Sequence, residues 1–202
     1  ALELSPWPAS VLPPPFDPCS VADSAPNSRT LLFLGRLSPE KNPHLALEAL
    51  LHLPTDVRLI LAGDGPLRDS VRQRVTQLGL DDRVELPGYL QGESKRAAFA
   101  RASALVLPST NEGLPLSVLE AAHAGLPVIS ADVGAIRETL PADSWFSVGP
   151  LHPQAIAEAI QRAWNAAHPH PQRARQSREA VQHHVPDAVA HRLWQWIGSW
   201  DD

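Results

Sequence analysis

The 202 residues are enough for one large domain with a real core, and 44% hydrophobic against 19% charged residues exclude an intrinsically disordered chain. A net charge of -5 argues against a generalised nucleic-acid-binding surface, although a local cluster of cations can still hold a small anion. Cys19 is the single cysteine, which excludes an intrachain disulfide, and no apolar run is long enough to cross a membrane, so the chain reads as a cytoplasmic globular protein.

Residues 1–29 are rich in proline and lack periodicity, as in Pro13-Pro14-Pro15, and read as a linker or extension. From Thr30 short apolar runs alternate with segments of helical spacing. Strands are predicted at 30–34, 57–62, 83–86, 104–107, 128–131 and 145–148. Helices are predicted between them at 45–53, 67–78, 93–102, 116–124 and 135–140. Several strands are continuously apolar, as strands covered by helices on both faces must be. Strict alternation implies right-handed βαβ units and an α/β fold, a doubly wound parallel (Rossmann-like) sheet over residues 30–150. Residues 151–202 read as a proline-broken helical tail. Its tryptophans either pack back on the domain or face an amino-terminal domain outside this sequence. The start at Ala1 and the lack of any methionine fit a piece excised from a longer protein.

Ligands of such sheets bind at the carboxyl ends of the strands, and four predicted strand-to-helix loops carry polar chemistry. Gly35 to Asn42, before a helix that Asn42 or Ser38 could cap, holds Arg36 and Lys41, a guanidinium that can fork onto phosphate oxygens and a compact ammonium. The chain has two lysines, Lys41 and Lys95, against fifteen arginines, so a lysine kept here hints that the ammonium matters. Gly63-Asp64-Gly65-Pro66, with Pro66 expected at the first helical position, forms a turn that admits a ligand to the backbone, or simply a tight turn capped by Asp64. Pro108 to Ala121 places Gly113 and a helix start between Glu112 and Glu120. Free amides there suit an anion, and the carboxylates suit sugar or ribose hydroxyls. The competing reading is capping, since Ser109-x-x-Glu112 and Ser117-x-x-Glu120 both fit a capping box. Gly134 to Glu138 reads as a plain turn on the rim.

In this order the motifs resemble the retaining glycosyltransferases with two Rossmann-like domains, family four with the GT-B fold. Gly35-Arg36 with Lys41, Gly63-Asp64-Gly65-Pro66-Leu67, Glu112 with Glu120, Gly125-Leu126-Pro127-Val128-Ile129 and Gly134 carry the likeness over about residues 30–150. The resemblance implies the carboxy-terminal, donor-binding half of such an enzyme. It implies that Arg36 and Lys41 hold the diphosphate of a UDP- or GDP-sugar and stabilise it as it leaves. Glu112 would contact the transferred sugar and Glu120 the ribose, with backbone contacts from Gly35, Gly63, Gly113, Leu114 and Leu116 and with Tyr89 near the base. It implies no cofactor and no metal. It further implies that this half does not transfer sugar without an amino-terminal acceptor domain, and that the full-length enzyme can touch a membrane surface. Two rival functions remain at this point: a non-catalytic nucleotide- or partner-binding module, and another sugar-nucleotide enzyme such as an inverting transferase or epimerase. The late histidines, including His168, His170, His183, His184 and His191, lack fixed ligand spacing and read as solvated side chains.

Overall fold

The computed structural model describes residues 29–166 and 171–198, so all but Arg29 of the predicted linker lies outside the described residues. The alternation gives β1 (Thr30–Leu34), α1 (Pro43–Ala49), β2 (Arg58–Ala62), α2 (Arg68–Gln77), β3 (Val84–Gly88), α3 (Gly92–Arg101) and β4 (Ala104–Leu107). It continues with α4 (Leu116–His123), β5 (Val128–Ser130), α5 (Ile136–Thr139) and β6 (Trp145–Ser147), then α6 (Pro153–Ala166), α7 (Pro171–Val181) and α8 (Pro186–Gly198). The six strands form one parallel sheet in the order β3-β2-β1-β4-β5-β6. The chain builds outward from β1 to β3, then returns through α3 to start β4 on the other side of β1. Direction therefore reverses between β1 and β4, the place where open α/β sheets hold ligands.

Helices on both faces explain the uninterrupted apolar strands. Leu31, Leu32 and Phe33 of β1 and Leu105, Val106 and Leu107 of β4 are all buried. Right-handed crossovers put α1 and α2 on one face and α3, α4 and α5 on the other. α6 packs on α1 through the buried Ile156, Ala157, Ile160 and Ala163. α7 packs on α4, where Gly125 leaves room for Ala174, and the Ser177 hydroxyl donates to Ser144 Oγ at 2.6 Å. In the tail, Trp164 donates to Ser103 Oγ at 3.3 Å beneath the Arg29 guanidinium, whereas Trp194 of α8 is exposed. No helix among the described residues is long and apolar enough to cross a membrane.

Element boundaries depart from the sequence expectation where tertiary ties intervene. The first helix starts at Pro43 and tightens into a 3₁₀ turn over Leu50–His52. Pro66 lies in the turn before α2 and not at its first position, because the Leu67 amide donates to Leu37 O at 2.9 Å instead of opening a helix. β3 runs on to Gly88, whose carbonyl accepts from Gly63 N at 2.8 Å.

Candidate functional site

The loops at the carboxyl edge are tied to one another through their backbones. Leu37 N donates to Asp64 O at 2.9 Å, Thr110 N to Glu40 O at 2.8 Å and Ala135 N to Gly113 O at 2.9 Å. The loops after β1, β2, β4 and β5 thus form one continuous rim. Two glycines make these approaches possible. Gly63, at φ +147°, would drive a Cβ to 1.8 Å from Gly35 O, and Gly134, at φ +58°, to 2.0 Å from Gly113 O. The Gly134 turn is therefore a brace for the loop that carries Glu112, more than a plain turn.

Two ion pairs sit behind this rim. Lys41, at the end of a 3₁₀ turn over Pro39–Lys41, donates to Glu112 Oε1 across the β1–β4 seam. The Glu112 side chain is only 7% exposed and that of Lys41 20%. Lys95 of α3 donates to Glu120 Oε1 at 2.7 Å, with side chains 14% and 7% exposed. Each of the two lysines thus meets one of the two candidate glutamates. Arg36 stays exposed on the solvent side of the same loop. Its neighbour Glu40 has its carboxyl held below the usual range, first by the Ser38 hydroxyl, then by a backbone hydrogen bond, with Arg36 and Lys41 adding positive potential.

This geometry replaces both capping readings. α4 starts at Leu116 behind Pro115 with no side-chain cap, and Ser117 lies inside it. Ser109 is fully buried and its hydroxyl has no hydrogen-bond partner among the described residues. Both carboxylates are instead engaged by lysines. Asn42 and Ser38 do not cap the first helix either. Asn42 is left-handed (φ 50°, ψ 49°) and donates its side chain to Pro108 O at 2.9 Å, while Ser38 donates to Glu40. Asp64 Oδ1 accepts from Gly65 N at 2.7 Å, as a turn residue should. Around the pairs, Leu114 is half-buried, Gly113 and Leu116 are exposed and Gly35 lies where β1 ends. Tyr89, 74% exposed, stands beyond β3 at the far end of the rim.

Lys95 is the functional candidate that sequence reasoning left without a role. Its rarity in an arginine-rich chain was a signal. So was its place on α3, since Ala98 and Phe99, three and four residues on, are buried, and Lys95 shares their inward face. Among the described residues no group of three or more His, Cys, Asp or Glu could hold a metal ion.

A parallel sheet that reverses at β1–β4, with cations, carboxylates and a helix start gathered at that reversal, defines a Rossmann-like α/β domain of the kind found in GT-B glycosyltransferases. The chain belongs to the glycosyl transferases group 1 family, whose model matches residues 21–183. It is 29% identical over 149 residues to the sulfoquinovosyl transferase of Arabidopsis thaliana, spanning 73% of this chain and 28% of that protein. It is 29% identical over 162 residues to a GDP-mannose-dependent phosphatidylinositol dimannoside mannosyltransferase of Mycobacterium tuberculosis, spanning 78% of this chain and 41% of that one. The fold matches Anabaena HepE, solved with UDP and glucose, at a TM-score of 0.74 and 24% identity over 86% of this chain and 49% of that one. It also matches the crystallised C-terminal domain of a group 1 family protein from Francisella tularensis at a TM-score of 0.67 and 22% identity, over 81% of this chain and 94% of that one. The chain thus spans less than half the length of these two curated relatives.

Proposed function

We propose that the chain is the nucleotide-sugar-binding domain of a retaining, metal-independent glycosyltransferase that works in the cytoplasm with an amino-terminal acceptor domain. The observation that carries this reading is the pair of lysine–glutamate contacts at the β1–β4 reversal, beside the start of α4 and the exposed Arg36. Arg36 and Lys41 would take the diphosphate, with the amides of Gly113, Leu114 and Leu116 on its other side. Positive charge there stabilises the leaving diphosphate as the bond to the sugar breaks, and this is the electrostatic contribution expected to dominate. Same-face attack on an oxocarbenium-like centre would retain the anomeric configuration. Glu112 would accept from sugar hydroxyls and Glu120 from the ribose, with Gly88 and Tyr89 beside the base and Gly35, Gly63 and Leu114 shaping the floor. The acceptor, and any contact with a membrane surface, would belong to the full-length enzyme.

The Lys41–Glu112 contact supports this division of roles. A diphosphate arriving at Lys41 competes with Glu112 for the ammonium, and the carboxylate it releases is the one assigned to the sugar. UDP accompanies the Anabaena structure and GDP-mannose the mycobacterial relative, so the donor base is proposed as uridine or guanosine. Titration calorimetry with UDP and GDP, with and without EDTA, tests the assignment. Charge-assisted hydrogen bonds are worth about 1.5–3 kcal/mol, so Lys41→Ala should weaken binding about ten-fold or more. Unchanged affinity in that variant, or binding abolished by EDTA, would sink it.

A further inference from the structure

Lys95 and Glu120 are a pair that stability alone does not explain. Lys95 occupies the inward face of α3 with Ala98 and Phe99, where the helix pattern calls for an apolar side chain. Glu120 lies within the run Val118–Ala122, every residue of which is buried. Taking both charges out of water carries a large desolvation cost, and an apolar pair of similar volume would hold two helices together about as well. Yet the chain places here one of its two lysines, against fifteen arginines, in contact with a glutamate at the ligand edge of the sheet.

We infer that Lys95 is a positioning residue for nucleotide recognition: it holds Glu120 as an oriented acceptor for the two ribose hydroxyls and so sets the preference for ribonucleotides. This rests on the proposed donor-binding reading, in which Glu120 faces the ribose. An ionised carboxylate accepts at both oxygens, which matches a cis-diol that donates two hydrogen bonds. Lys95 engages Oε1 at 2.7 Å from a neighbouring helix, so the carboxylate plane is fixed from outside α4. Without that contact Glu120 loses the partner that orients Oε1 from α3, and a ribose is bound no better than a dideoxyribose.

The test is calorimetry of UDP against 2′,3′-dideoxy-UDP, with GDP and its dideoxy counterpart in parallel, on four forms of the chain. In the unsubstituted chain the ribonucleotide should bind about ten-fold more tightly than the dideoxynucleotide, and Glu120→Gln should remove most of that ratio. Lys95→Met should lower the ratio five-fold or more while leaving dideoxynucleotide affinity within two-fold, an outcome that general loosening of the fold would not produce. Lys95→Arg, which keeps the charge and guards against misfolding of the methionine variant, should keep most of the ratio. If Glu120→Gln loses the preference and Lys95→Met keeps it, the role of Lys95 is overturned and the donor-binding reading stands. Loss of the ratio in Lys95→Arg, as complete as in a folded Lys95→Met, overturns the role assigned to the charge. If Glu120→Gln itself keeps the ratio, the ribose assignment fails and the inference with it.

Discussion

Among the described residues, two sets of ion pairs differ in kind. At the β1–β4 reversal the pairs are lysine to glutamate, enclosed by loops and helices, and bridge segments far apart in sequence. On the outer surface they are arginine to carboxylate and half open to water, as in Arg101–Glu85, Arg137–Asp132 and Arg175–Glu179. Water screens the second set, so such pairs contribute little to folding. The first set is desolvated, costly to form and costly to break. In the proposed reading the expensive arrangement serves recognition, and the cheap one on the outer surface is ordinary surface.

The contrast breaks most visibly at the backbone. At Gly63 an added Cβ meets the Gly35 carbonyl, whereas at Gly79 (φ +64°) it meets nothing within 4 Å. Gly63→Ala should destabilise by roughly 2–4 kcal/mol in urea unfolding, through strain and displacement of the β1 loop, and Gly79→Ala by only about 1 kcal/mol. Equal losses would mean that the rim is no tighter than the far edge.

A smaller effect sharpens the role of the enclosed pairs. Glu112→Gln removes the competitor for Lys41, so UDP or GDP affinity should rise a few-fold, equivalent to about 1 kcal/mol. The additional affinity of the matching sugar nucleotide over its diphosphate should fall. Calorimetric titrations that gave weaker diphosphate binding would make Glu112 a support for Lys41 and not its rival.

The smallest effect belongs to the surface. The Arg101 hydrogen bond holds the Glu85 carboxyl below its usual range, against a desolvation that pushes the other way. A depressed carboxyl contributes stability in full above its unfolded range, about pH 4.3, and loses it as pH falls through the lower folded value. Screening limits this to under about 0.5 kcal/mol. Arg101→Ala should therefore cost little at pH 7, and its stability should converge with that of the unsubstituted chain in acid. A loss above 1 kcal/mol in thermal or urea unfolding at pH 7 would erase the distinction between the two populations.

The fold was legible because strand and helix speak through local pattern. Leu31 to Phe33 and Leu105 to Leu107 announce strands covered on both faces, and Pro115 announces the start of α4. The site was half legible. Glu112, Lys41 and Glu120 stood out by their place after strands, but spacing says which way a side chain faces, not what lies opposite. Lys41 and Glu112 are 71 residues apart and Lys95 and Glu120 are 25 apart, and only the sheet order brings them together. Asn42 was read as a cap because capping is the commonest local use of asparagine. A carbonyl 66 residues away, on Pro108, took its side chain instead.

The sheet order has a consequence for how the chain holds together. β1 and β2 pair over five positions, and β2 joins β3 through a short crossover. β4, β5 and β6 likewise follow one another closely. Within the sheet the two halves meet along one ladder, in register at Leu31 with Ala104 and Leu32 with Leu105. Closing it spans a long stretch of chain, and the entropy of that closure is not recovered by any neighbouring turn. The proposed ligand site therefore lies along the joint whose strands are far apart in sequence. In the proposed reading, a guest that touched Lys41 on one side and the loop of Glu112 on the other would act as a rivet between two half-sheets, linking occupancy to the integrity of the fold.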